Sequence, residues 1–130
     1  WIKENPIIGT GLDTIKYMYP KYRRPEYGKL EGGHNYTPDR LHNEYLNTLA
    51  TKGIFGFISL YVVLIGGTFI LTIFTIQKHN NSSIQYLILG SIGSALVYLG
   101  QIFFNFGVVA TLVFFYIYLG ILVSIEKNHE

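Results

Sequence analysis

The 130-residue chain has no cysteine. That excludes a disulfide framework, a zinc–thiolate site and a cysteine nucleophile. Charge is missing over long stretches: between residues 54 and 125 the only Asp, Glu, Lys or Arg is Lys78. Proline is absent after Pro38. The net charge of +2 is too small to argue for a nucleic-acid partner. What the chain has in abundance is hydrocarbon. It is 49% hydrophobic and 14% charged, with mean hydropathy +0.28. That balance fits a membrane protein with one polar region. Trp1 stands first and no n-region or cleavage site precedes an apolar core, so no signal peptide is expected. The reading expects a C-terminal piece of a longer protein, partnered by upstream helices of the same chain.

The composition changes near residue 53. Residues 1–52 hold eight of the ten Lys and Arg residues and all four prolines. Residues 54–76, IFGFISLYVVLIGGTFILTIFTI, form an apolar run of 23 residues. As a helix this is long enough to cross a hydrocarbon core of about 30 Å. QKHNNSS, 77–83, is a polar connector. The uncharged run 84–125 is twice what one span requires, and FNFG at 104–107 supplies a break. Only helices satisfy the backbone of open segments in lipid. The expected fold is therefore an all-α polytopic membrane protein. A polar region, 1–52, precedes spans at about 54–76, 84–104 and 108–125, with a tail at 126–130. Gly66, Gly67, Gly90, Gly93, Ser94 and Gly100 are expected to be close-packing points between helices.

In the polar region, NPIIGTGLDT has turn chemistry from Pro6, Gly9 and Gly11. DTIKYMYPKY predicts a short helix capped by Asp13 and stopped before Pro20. RRPEYGKLEGGHNYTPD reads as a loop. Thr37-Pro38 predicts the start of a helix over 38–52, with Thr37 as N-cap and Gly53 as its stop. At about 100° per residue, Leu41, His42, Tyr45, Leu46 and Leu49 share one face. Arg40, Asn43, Glu44 and Asn47 share the other. His42 then lies in the apolar stripe, either as a packed core histidine or as a general base facing a cavity at the membrane surface. Arg40 and Glu44 at i,i+4 predict at least a surface ion pair.

Arg23 and Arg24 are adjacent, near Lys21 and Lys29. They suit phosphate recognition, because guanidinium forks match phosphate oxygens, and they equally suit lipid headgroups. Six tyrosines (17, 19, 22, 27, 36, 45) crowd this region, as expected at a membrane interface. Gly9-Thr10-Gly11 lacks the third glycine of a nucleotide loop. His34, His42 and Glu44 do not have the spacing of a helical metal motif, and no metal or cofactor is expected. Asn35-Tyr36-Thr37 is a formal glycosylation sequon followed by Pro38. Gln101 and Asn105 lie one turn apart at the end of the second span. They are expected to share a polar cavity with His42, roofed by the 38–52 helix.

The order of these features resembles the O-antigen ligase/polymerase family. The resemblance rests on Pro6, Gly9 and Gly11, then on His42, Asn43 and Leu46, then on Gly53 and Gly56 leading into a membrane helix. It covers most of the chain, and the segment from His42 to Gly56 carries most of its specificity. The resemblance implies a metal-independent glycosyltransferase of the bacterial inner membrane. Such an enzyme moves a glycan from a polyprenyl-pyrophosphate carrier to a hydroxyl of a glycan or lipid acceptor. His42 becomes the base toward the acceptor. Arg40, Arg23 and Arg24 become candidates for the pyrophosphate, with Asn43, Gln101 and Asn105 lining the substrate site. Residues 1–52 then lie on the outer face, although their Lys and Arg content alone would place them in the cytoplasm. Two alternatives remain: a non-enzymatic membrane module, such as a transporter or scaffold end, and a metal-dependent membrane hydrolase using His34 and His42.

Overall fold

A computed structural model describes residues 2–30, 37–78 and 81–127. Every regular element among them is helical. Helices α1 (Ile15–Tyr22) and α2 (Pro25–Leu30) belong to the polar region. Helix α3 (Glu44–Phe57) runs without a loop into a π-helical stretch, Ile58–Gly66, and then into α4 (Gly67–Lys78). Helices α5 (Ser82–Phe104) and α6 (Val109–Lys127) follow. Two helical stretches, Glu44–Gln77 and Ser82–Phe104, are long and apolar enough to cross a membrane. A third apolar helix, Val109–Ile125, is shorter.

α5 starts where Asn81 Oδ1 accepts from Ser83 N–H at 2.9 Å, and it ends at the expected FNFG break. α6 packs against both α4 and α5. Their shared core is built from Ile65, Ile88, Ala95, Tyr98, Ile102, Phe115, Leu119 and Leu122. The Tyr98 and Phe115 rings stack at 4.6 Å between centroids. On α4, Thr68, Thr72 and Thr75 are buried, and each hydroxyl donates to the carbonyl four residues earlier. Small residues thus mark packing, but not where expected. A Cβ placed on Gly67, Gly90, Gly93 or Gly100 would meet no atom within 4 Å. The buried small residues of α5 are Ser91 and Ala95, one position further round the helix.

The predicted span 54–76 is helical throughout, but 58–66 is wound as a π-helix. π geometry is rare and adds a residue to the turn, which rotates the following side chains. The polar region departs further from expectation. α1 begins at Ile15 after Thr14, not at an Asp13 cap, and Asp13 takes a left-handed conformation at φ 56°. The helix runs through Pro20 to Tyr22. The stretch after Arg24 is not all loop, since Pro25 starts α2; proline is well suited to a first helical position because no N–H is needed there.

The largest correction concerns the predicted 38–52 helix. Thr37-Pro38 does not start it. The helix begins at Glu44, capped by Asn43, whose Oδ1 accepts from Leu46 N–H at 3.0 Å. Residues 37–43 are irregular. A capping asparagine six residues inside the apolar pattern outcompeted the proline signal. Asn43→Ala is expected to lower stability by about 1 kcal/mol. A melting curve of the purified protein in detergent would check this, and an unchanged midpoint would count against the cap.

Gly53 does interrupt the helix, as predicted, at φ 66° and ψ −170°. The break would leave carbonyls behind it and N–H groups ahead of it unsatisfied. The Pro6–Gly11 turn supplies both sets of partners. Thr10 N–H and Gly11 N–H donate to Ala50 O and Thr51 O at 3.0 and 2.9 Å. Ile54 N–H and Phe55 N–H donate to Pro6 O and Ile7 O at 2.9 and 3.3 Å. Thr10 Oγ1 adds a bond to Ala50 O at 3.2 Å. Gly9 (φ 71°) and Gly53 meet backbone to backbone at the centre of this clasp.

Candidate functional site

The first half of α3 lies over the end of α5 and is tied there at three points. Tyr45 Oη donates to Leu99 O at 2.8 Å. Glu44 N–H donates to Asn105 O at 3.1 Å. Gly107 N–H donates back to Glu44 Oε2 at 3.1 Å. Asn47 Nδ2 donates to the same carboxylate at 3.3 Å. Glu44 was expected on the solvent face; instead it grips the turn between α5 and α6.

That turn places Phe106 against the two residues that mattered most in the sequence. The His42 ring packs on Phe106 at 5.5 Å between centroids. The Arg40 guanidinium sits over the same ring at 5.8 Å. Because 37–43 is irregular, the helical wheel that set Arg40 opposite His42 does not apply. His42 is exposed and lies ahead of the helix, so it is not a core histidine. It makes no hydrogen bond to any described residue. Arg40 does not pair with Glu44 as an i,i+4 couple; the described residues contain one ion pair, Lys21 to Glu4 at 3.4 Å.

Of this cluster Arg40 alone lines two neighbouring chambers; His42 and Phe106 line neither. One, of about 280 Å³, lies within the helices and has a floor of Leu60, Ile65, Leu99, Ile102, Leu112 and Phe115. Tyr61, Tyr98 and Tyr116 also line it. Leu60, Tyr61 and Ile65 come from the π-helical stretch, which turns them toward the cavity. The other chamber, of about 260 Å³, is polar and includes Asp13, Asp39, Asn47 and Thr51. Arg40, Glu44 and Lys52 line both.

The remaining predicted residues fall elsewhere. Arg23 and Arg24 line a separate hollow of about 250 Å³ with Tyr19, Pro20, Pro25 and Thr37. Arg23 also stacks on Tyr19 at 5.8 Å. Asn43 serves as the helix cap. Asn105 reaches the site through its carbonyl, while its side chain accepts from Phe106 N–H at 2.8 Å. Gln101 does not join them. It lines an outer groove between α5 and α6 with Ser94, Thr111 and Tyr118. A residue four positions before Asn105 shares its helix face only while the helix continues, and α5 has ended at Phe104. His34 and the sequon residues Asn35 and Tyr36 lie outside the described residues. Among the described residues no three His, Asp or Glu side chains converge as metal ligands.

Sequence reasoning missed Lys52, Phe106 and the inward turn of Glu44. Phe106 had a signal, since it sits inside the FNFG break that was read only as a turn.

At the outer end of α1, the Glu4 carboxyl is held below its usual range by a hydrogen bond from Tyr22, and further by Lys21. A depressed carboxyl contributes stability above its unfolded pKa and loses it as pH falls through its folded value. Acidification through the carboxylate range should therefore release residue 4 from α1, read as faster amide exchange there. Equal exchange at neutral and acid pH, after correction for intrinsic rates, would contradict it.

No protein-family model matches the chain, and no curated protein or solved structure matches it. What fold and site define is a class: a chain whose described residues form only helices, two of them of membrane-crossing length, around an amphipathic cavity lined by Arg40, Glu44 and Lys52.

Proposed function

We propose that the chain is the acceptor-activating part of a membrane glycosyltransferase. It would move a glycan from a polyprenyl-pyrophosphate carrier to an acceptor hydroxyl, as in an O-antigen or surface-polysaccharide ligase or polymerase. The observation that carries this reading is the gathering of His42 and Arg40 on Phe106, with Arg40 also lining a cavity that has charged residues at its rim and an apolar floor. A donor with a charged head and a hydrocarbon tail needs such a cavity within reach of the bilayer.

The chemistry follows from these parts. The acceptor hydroxyl is a weak nucleophile, and His42 takes its proton as the new bond to the anomeric carbon forms. The bond from that carbon to the pyrophosphate oxygen breaks, and the leaving group keeps the electron pair. Arg40 offers fixed positive charge where that negative charge grows. No metal or cofactor enters the scheme. In the membrane, α6 is the third span. Its 17 apolar residues reach about 25 Å, and local thinning of the bilayer accommodates the difference. Residues 1–52 then face the outside of the inner membrane.

The unanchored His42 ring favours a second reading, a non-enzymatic membrane module in which this ring merely covers Phe106. The full-length protein, reconstituted with lipid-linked glycan and acceptor, separates the two. Transfer by the wild type that His42→Ala removes supports the transferase. Equal product from both proteins assigns His42 no chemistry.

A further inference from the structure

Lys52 is an exposed cation whose stem is given room by a glycine one turn on. It is the last residue before the Gly53 break, and the reversal there brings its side chain back across the next turn. A Cβ on Gly56 would collide with Lys52 Cβ and lie 3.5 Å from its Cγ and Cδ. Glycine at 56 thus makes room for the lysine stem. Lys52 lines both chambers, as Arg40 and Glu44 do.

Neither Arg40 nor Lys52 forms an ion pair with a described carboxylate. Glu44 is already engaged by Gly107 N–H and Asn47. Two exposed cations, unpaired with any described carboxylate, therefore stand among the residues that both chambers share, the neck between them. On one side is hydrocarbon; on the other are Asp13, Asp39 and Asn47, which suit sugar hydroxyls better than phosphate. Anionic heads are held by charge-assisted bonds and apolar tails by burial, so the neck sorts a ligand by its parts.

We propose that Lys52, laid over Gly56, completes a phosphate clamp with Arg40 at this neck. An anionic lipid binds there with its tail in the apolar chamber and whatever its phosphate carries in the polar one. That this lipid is the glycan donor rests on the transferase reading; the clamp itself does not.

The test uses full-length protein in detergent and measures binding of farnesyl pyrophosphate, farnesol and phosphatidylglycerol. Lys52→Met keeps the stem and removes the charge. It should bind farnesyl pyrophosphate about tenfold more weakly and farnesol unchanged, with Lys52→Arg restoring the difference. Wild-type affinity in Lys52→Met overturns the clamp. Phosphatidylglycerol displacing farnesyl pyrophosphate at equal concentration overturns the donor assignment and makes this a headgroup site. The two ideas fail separately. If His42→Ala stops transfer while Lys52→Met binds normally, only the clamp is lost. If Lys52→Met weakens binding but the wild type transfers nothing, the clamp stands without the transferase.

Discussion

Replacing His42 by alanine is expected to lower glycan transfer by about 10²–10⁴-fold, the usual contribution of a positioned acid or base. Protein level and melting temperature should barely move. This separation follows from where the residue lies. His42 is exposed, precedes α3 and touches Phe106 by its ring alone. Surface substitutions of that kind change stability by about 0.5 kcal/mol or less. A buried histidine, which the helical wheel had allowed, would give loss of fold and loss of activity together, and the experiment would decide nothing. The geometry makes it decisive. Lipid-linked glycan should accumulate in cells carrying the variant while the protein remains in the membrane. His42→Gln, which keeps polarity and bulk but takes up no proton, should behave like alanine. Wild-type transfer by the glutamine variant would remove proton abstraction from the scheme.

Gly53→Ala should have the largest effect on the fold itself. The residue needs φ 66°, and a left-handed or otherwise strained backbone costs a non-glycine residue about 1–3 kcal/mol. The added methyl would also overlap Ile7 O and Gly9 N across the clasp. Both obstacles are backbone atoms, which cannot swing aside as a side chain can. Gly9→Ala meets the mirror-image problem against Thr51 and Gly53. Either variant should be lost from the membrane fraction or melt well below the wild type. Gly93→Ala is the matched control. Its Cβ meets open space in a helix interior, where alanine exceeds glycine by about 1 kcal/mol. Equal melting of Gly53→Ala and Gly93→Ala would refute the clasp.

The apolar elements were legible because length and hydropathy decide them. The break after Phe104 and the interruption at Gly53 both fell where turn residues interrupt hydrocarbon. The start of α3 was not legible. Thr37-Pro38 and Asn43 are both good helix starts, and only the docking of Glu44 onto the 105–107 turn selects the second. The opposition of Arg40 to His42 and the solvent-facing Glu44, both inferred from the wheel, failed with that choice. Glu44 lay hidden for a related reason. A charged residue beside a membrane helix reads as facing water, and its inward turn depends on partners far along the chain. The π-helical winding of 58–66 has no signature in ISLYVVLIG that distinguishes it from an ordinary apolar helix.

The clasp has a topological consequence. Thr10 and Gly11 are hydrogen-bonded to Ala50 and Thr51, so the segment between them begins and ends at the same point of the fold. The excursion between them is a closed loop whose ends are fixed independently of its contents. Closure entropy grows only with the logarithm of length, by about 0.6 kcal/mol per doubling. A protein built this way can lengthen, shorten or exchange the outer segment without retuning the helices packed beneath it.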